Sequence, residues 1–341
     1  MKLSKKSKHK KVVVIGGGTG TFTVLSGLKK YSNLDLSAIV SMMDDGGSNR
    51  IIRDEFGLLP TSDLRQCMVA LASADSDQTL RKLFTYRYNQ GVGISGMTFG
   101  NLFMAALTDI YKGDQEKAIA ETCEVLGVSG KIIPVTFDKT NLVATYENGK
   151  QILGEHAIDE PDAKQGKYRI RKIEVFPKVK VNPQALQVIA EAEMIVLGPG
   201  DFYTSILPNV VVDGVSRAIK NSKAKLVYVA NLMTKFGQTV NFKASDFIDE
   251  IEKYIQGRKL DYCVLNNSKK FPRGILASYK EERAEIVKDD LQGKFPETKI
   301  IRRNLVSNKV YLKSEGDMMA RSLIRHDSDK LAKVIVDLLK P

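Results

Sequence analysis

The chain has 341 residues, 43% of them apolar, enough for a sizeable core in one large or two ordinary domains. Its formal charge of +12 would suit a nucleic-acid binder, but Lys2, Lys5, Lys6, Lys8, Lys10 and Lys11 supply half of that excess before the first apolar run. The remainder has neither zinc-ligand spacing nor an aromatic RNA-binding motif, so sites for small polyanions fit it better than a duplex footprint, and nucleic acid is not expected as the main partner.

No stretch approaches the ~20 apolar residues of a membrane span, and the apolar run at 12–15 is too short for the core of a signal peptide. Cys67, Cys123 and Cys263 stand far apart and outside any motif, the pattern of a reducing, cytoplasmic protein. Residues 1–11 read as a flexible basic tail, and 12–341 as a single domain.

"VVVI" (12–15) is an all-apolar run, as in a parallel strand buried on both faces. A helix at 21–30 and a strand at 36–42 complete a β-α-β unit. Leu64, Cys67, Met68 and Leu71 form the stripe of an amphipathic helix, with Thr61 or Ser62 as its natural cap. Further helices are expected at 77–87, 101–111 and 114–126. Asn148-Gly149 between two extended runs signals a hairpin with a type I′ turn, so 130–182 reads as a β-rich insertion with a polar loop at 159–167. Alternation then resumes: helix 183–192, strand 194–198, helix 210–221, strand 225–230, helix 244–256 and strand 261–266. The last helix shows a stripe of Leu331, Val334, Ile335, Leu338 and Leu339, capped by Asp327 or Ser328. This order predicts an α/β fold: a three-layer, Rossmann-like, doubly wound and mostly parallel sheet with ligands beyond the C-terminal strand ends.

The chemistry-bearing motifs fall at those ends. Gly16, Gly17, Gly18, Thr19, Gly20 and Thr21 follow a strand and open a helix, where glycine lets a phosphate approach the free N–H groups. No Gly-Lys-Ser/Thr follows, and Thr21 takes the third glycine position of a dinucleotide fingerprint, which argues against a P-loop and against an NAD-dependent oxidoreductase. Asp44 and Asp45 follow the second strand, where they could hold ribose or Mg²⁺ or simply make a turn. Asp63 and Arg65 open the next helix. Asp63 suits the helix dipole, whereas Arg65 calls for a nearby anion or for solvent. Asn101 caps its helix or reaches into the site, with capping favoured. Gly198 and Gly200 form a second strand-end turn, followed by Tyr203, Thr204 and Ser205 as donors and by Asp201 as a cap or a ligand of metal or sugar. Asn231 follows a third strand. Arg325 could clamp a diphosphate, and its neighbour His326, as a lone histidine, is assigned a structural role.

In order, "VVVIGGGTGT", "VSMMDDGGSNR", "SDLR", "GMTFGN", "GPGDFYTSILPN" and "IRHDSDK" resemble the YvcK/CofD family, specifically its gluconeogenesis-factor branch. The resemblance implies a Rossmann-like fold. The CofD branch implies 2-phospho-L-lactate transferases acting on a guanosine diphosphate-linked donor with Mg²⁺. The YvcK branch implies regulators of growth and cell shape on gluconeogenic carbon that bind UDP-sugars such as UDP-N-acetylglucosamine. Three positions depart from the YvcK pattern: Thr61 to Arg65 for Gly-Asp-Ile-Arg, Met97 for a common histidine, and Asp201 for a serine. The last two favour binding over catalysis. The expected partner is a UDP-sugar or another nucleoside diphosphate, held by the glycine turns, Asp44 or Asp45, Asp63, Arg65, Asn101, Tyr203, Ser205, Asn231 and Arg325, with Asp44 and Asp45 as the candidate Mg²⁺ ligands and homo-oligomerisation left open.

Overall fold

Short apolar runs build a seven-stranded sheet whose strands bury both faces. The computed structural model describes residues 9–73, 78–272, 274–309 and 323–340. In chain order the strands are β1 (Lys10–Ile15), β2 (Leu34–Val40), β3 (Lys131–Pro134), β4 (Asn141–Tyr146), β5 (Gln151–Leu153), β6 (Ile170–Phe176), β7 (Met194–Leu197), β8 (Lys225–Val229), β9 (Tyr262–Asn266) and β10 (Lys299–Arg303). The large sheet runs β10-β9-β8-β7-β1-β2-β3, and every pairing in it is parallel. From β1 the chain winds outward through β2 and β3, then returns to the other side of β1 at β7. The topological switch point lies between β1 and β7, where an open α/β sheet leaves a crevice at its C-terminal edge.

The alternation of each strand separates two cores. Val13, Ile15, Ile195, Leu197, Leu226 and Tyr228 face helices Pro183–Glu191 and Ala244–Tyr254. Val12, Val14, Met194, Val196, Val227 and Val229 face helices Gly18–Leu28, Ser62–Leu71 and Ser328–Leu339. Cys67 and Cys263 lie buried in these cores as ordinary small residues.

The β-rich segment folds as an antiparallel sheet of order β5-β4-β6. Its residues Leu142, Ala144, Ile173 and Val175 join the first core. Residues 131–134 are not part of it, because β3 pairs with β2 in the large sheet. The hairpin forms at Asn148-Gly149, but not with a type I′ turn. Only Gly149 takes a positive φ, of 79°, while the Gly149 N–H donates to the Tyr146 carbonyl and the Tyr146 N–H to the Lys150 carbonyl. This is a type I turn closed by a glycine bulge, the usual three-residue alternative.

Other differences have local causes. The first helix begins at Gly18, not Thr21, so the glycines belong to its first turn. Residues 207–221 form two short helices split at Gly214, whose φ is 95°. Thr61 precedes its helix without a side-chain cap bond, whereas Asp327 caps the last helix as expected. Lys10 and Lys11, read with the basic tail, open β1 and pair with Glu193 and Glu191; residues 1–8 lie outside the described residues. Among the described residues no helix is long and apolar enough to cross a membrane.

Helices Gly18–Leu28 and Ser328–Leu339 pack closely because Gly27 has no side chain. A Cβ there would lie 2.1 Å from the Ser328 carbonyl oxygen and 2.8 Å from the Ala332 Cβ. Gly27→Ala must push the helices apart, and overpacking of this kind costs about 1–3 kcal/mol. Urea denaturation should show that loss as a lower midpoint with an unchanged slope; an unaltered midpoint would contradict this packing.

Candidate functional site

A cavity of about 390 Å³ opens at the switch point, a size typical of small-molecule sites. Two backbone turns form its floor. At the end of β1, Gly17 precedes the helix in an extended conformation, and no side chain caps that helix. Its first N–H groups, at Gly18, Thr19 and Gly20, therefore have no acceptor within the helix and offer an anion site. At the end of β7, Pro199 and Gly200 form the second turn. The two turns touch: a Cβ on Gly20 would lie 2.0 Å from the Pro199 carbonyl oxygen. Asn231, at the end of β8, accepts from the Tyr228 hydroxyl (3.0 Å) and donates to the Gly200 carbonyl (2.7 Å), which ties the second turn to the next strand.

Of the residues singled out in the sequence, Gly17, Gly18, Thr19, Gly20, Asp44, Asp63, Arg65, Gly200, Ser205, Asn231 and Arg325 line the cavity. Asp63 packs against Gly17 so closely that a Cβ there would lie 2.0 Å from its Oδ2. Arg65 is buried rather than solvated, donating to Asn101 Oδ1 (3.0 Å) and the Phe84 carbonyl (3.1 Å).

Gly16, Thr21, Asp45, Asn101, Gly198 and Tyr203 stand behind the wall. Asn101 is not a cap, since Thr98 caps its helix. Its amide instead donates to Ser48 Oγ (3.2 Å) and Ser62 Oγ (3.1 Å) while its oxygen orients Arg65. Asp45 accepts from the His156 N–H (2.7 Å) and pairs with Arg53 at 3.3 Å, joining the helix Gly47–Phe56 to the small-sheet segment. Thr21 is fully buried at the base of the first turn, Gly198 adopts φ 72° under the second, and the Tyr203 ring is enclosed by Phe202 and Phe242.

The sequence reading passed over the acidic wall. Asp159 and Glu155 come from the short helix Glu155–Asp159 after β5. Asp159 Oδ1 accepts from Thr204 Oγ1 (2.9 Å), Gln238 Nε2 (2.7 Å) and Lys235 Nζ (2.5 Å), and Lys235 also pairs with Asp201 at 2.8 Å. Burial alone would lower the Lys235 pKa, but the Asp159 and Asp201 carboxylates outweigh it and hold the ammonium charged. Asp201 is thus neither a cap nor a bare carboxylate. Glu155 is different. Burial, reinforced by the Asp44 and Asp159 carboxylates, raises its pKa well above the usual range, and its Oε2 has no partner among the described residues. Burial likewise raises the Asp44 pKa, against hydrogen bonds from the Gly46 N–H (2.9 Å) and Asn49 Nδ2 (2.7 Å).

Of the two candidate Mg²⁺ ligands, Asp44 lines the cavity, its oxygens accepting from the Gly46 N–H and Asn49 Nδ2, whereas Asp45 is engaged away from the cavity with Arg53 and the His156 N–H.

Comparison with known proteins finds matches over most of the chain. The family model described as 2-phospho-L-lactate transferase CofD matches residues 12–306. The chain is 35% identical over 332 residues to a Bacillus subtilis protein named gluconeogenesis factor, covering 97% of this chain and 98% of that one. A gluconeogenesis factor of Halalkalibacterium halodurans is also 35% identical, over 338 residues and 97% of each chain. A crystal structure of a Bacillus halodurans member of the UPF0052 family superposes with a TM-score of 0.85 at 33% identity, covering 96% of this chain and 99% of that one.

His326 at the rim of the cavity makes stability depend on acid. Burial lowers its pKa to about 4, partly offset by its hydrogen bond to the Ala230 carbonyl. An unfolded chain binds the proton near pH 6.5 and the folded one only near 4, so stability is full above about 6.5 and falls as pH drops toward 4. The loss is on the order of 3 kcal/mol. Urea denaturation at pH 7 and pH 4.5 should show a smaller acid loss in His326→Gln than in the wild type; equal losses would contradict a buried neutral imidazole.

Proposed function

The chain belongs to the CofD family, with gluconeogenesis factors among its relatives, and from that premise we propose that it is a regulatory protein that binds a nucleotide sugar, a UDP-sugar such as UDP-N-acetylglucosamine. The observation that carries the reading is the pair of touching glycine turns at the switch point, with the uncapped end of the helix Gly18–Leu28 between them. A diphosphate accepts hydrogen bonds from Gly18, Thr19 and Gly20, and the Ser205 hydroxyl lies beside them, 3.9 Å from where a Cβ on Gly18 would stand. Arg65 and Arg325 supply cationic charge. Asp44 and Glu155 offer acceptors and a carboxylic proton to ribose or sugar hydroxyls. The choice of uracil comes from the family resemblance. Growth and cell shape on gluconeogenic carbon, a cytoplasmic setting and a single domain over 12–341 belong to the same proposal.

A second reading, a CofD-like transferase moving a phospho group from a nucleoside diphosphate-linked donor, is favoured by one observation. Asp44 and Glu155 are two buried carboxyls on the cavity wall with raised pKa values, the environment in which acid–base groups are tuned toward neutral pH.

Thermal unfolding with UDP-N-acetylglucosamine, UDP-glucose, GDP and NAD, each with and without Mg²⁺, tests the first reading. A ligand at 100 times its Kd adds about 2.7 kcal/mol, so the UDP-sugars should raise the Tm by several degrees. Gly20→Ala, which parts the two turns, should weaken that binding tenfold or more. No shift with either UDP-sugar would overturn the proposal. Under the second reading, phosphorus NMR should follow donor breakdown that slows at least a hundredfold in Glu155→Gln; a donor left intact would rule it out.

A further inference from the structure

The cavity has two chemically different ends. On the β2 side stand the carboxyls of Asp44 and Glu155. On the β8 side the wall includes Leu232, Tyr279 and Ile324, members of one small apolar cluster, with Glu282 and Arg325 lining the cavity from the same segments. Tyr279 is fixed there, because its hydroxyl accepts from the Leu323 and Ile324 N–H groups at 2.9 and 3.0 Å. His326 closes this end. It is 5% exposed, its ring borders the cavity, and its Nε2 has no partner among the described residues.

The ring's other nitrogen determines what that lone atom can do. The backbone of Ala230 supports the charged form of His326 against burial, which an accepting carbonyl alone can do, and Nε2 has no partner among the described residues, so Nδ1 is the nitrogen assigned the proton. In a neutral imidazole with Nδ1–H, Nε2 has a lone pair and no hydrogen. The site therefore presents one buried acceptor, and no donor, from this side chain. A buried acceptor left unmatched costs about 1–3 kcal/mol.

We propose that His326 Nε2 is a specificity determinant that accepts a hydrogen bond from the ring imide N–H of a nucleobase seated in the apolar end of the cavity. This rests on the nucleotide-sugar reading. The geometry gives it direction: the diphosphate lies over the glycine turns, so the sugar falls to the carboxyl side and the base to the Leu232–Ile324 side. A base with an N–H at its pairing edge, such as uracil N3–H or guanine N1–H, satisfies Nε2. A base with a bare ring nitrogen there, such as cytosine or adenine, sets two lone pairs against each other.

Calorimetric titration with UDP-N-acetylglucosamine and its N3-methyluridine counterpart tests this. The wild type should bind the methylated ligand at least tenfold more weakly. His326→Phe keeps a ring but no acceptor, and should bind the parent ligand at least tenfold more weakly and discriminate little between the two. A folded His326→Phe that discriminates as the wild type does would overturn the inference. Nitrogen NMR of ¹⁵N-histidine-labelled wild type needs no variant: the Nε2 resonance should move on adding the parent ligand, and a resonance that stays put in the bound protein would also overturn it. Should the wild type bind no UDP-sugar, the nucleotide-sugar reading fails separately, and GDP with N1-methyl-GDP takes its place. Discrimination there that is lost in His326→Phe upholds the role of His326, and no binding of either pair overturns both.

Discussion

Everything at this site depends on two backbones lying closer than any side chain would allow. The first helical turn after β1 rests on the Pro199 carbonyl, with room at Gly20 for a hydrogen alone. Because β1 and β7 are neighbours in a parallel sheet, their ends emerge side by side, and glycine at this point lets both turns share one floor. Asn231 then binds the second turn to β8 through the Gly200 carbonyl. Asp63 occupies the space a side chain on Gly17 would fill. Each residue restricts the next, so the cleft is organised by backbone packing before any ligand contributes.

The same cleft poses an electrostatic problem for an anion. Its wall carries Asp44, Asp63, Glu155, Asp159, Glu160, Asp201 and Glu282 against Arg65, Arg87, Lys235 and Arg325. Two devices reduce that acidity. Lys235 is shared between Asp159 and Asp201, which halves the negative charge of that pair within a short radius. Burial and mutual repulsion push Glu155 and Asp44 toward their protonated forms. What remains over the glycine turns is the positive end of the helix Gly18–Leu28, whose axis points its first N–H groups at the cavity. The protein thus separates an anion-accepting floor from a hydroxyl-facing acidic wall within one small space.

The fold was legible because it follows local rules. Apolar runs such as "VVVI" and "MIVL" bury on both faces and imply a parallel sheet, and glycines after them mark the strand ends where ligands bind. Elements with weak local signals were missed. β10 reads Lys-Ile-Ile-Arg-Arg and lies half-buried at the sheet edge, and the helix Gly47–Phe56 grows from a Gly-Gly-Ser-Asn run that resembles a turn. The site was legible only in part for the same reason. Glycine turns announce themselves over six residues, whereas Asp159 meets Lys235 from 76 positions away and Arg65 finds Asn101 from 36. Asp159 sat in what read as a polar loop, and Lys235 was one lysine among many. Pairings of that range are fixed by topology and leave no periodic trace in the chain.

The small antiparallel sheet sets where the acidic wall stands over the glycine turns. The large sheet alone supplies the phosphate floor and the apolar end, features common to nucleotide folds. Glu155 and Asp159 come instead from the segment that follows β5, which is pinned to the large sheet where the His156 N–H meets Asp45 and where Arg53 meets both Asp45 and Asn141. A clamp at that joint sets how far the acidic wall reaches over the floor. The segment is also tied to the second glycine turn, because Asp159 accepts from Thr204 Oγ1 and shares Lys235 with Asp201, the neighbour of Gly200. A displacement of the acidic wall therefore reaches the turn after β7, and the wall and the floor are coupled through Lys235 and Thr204.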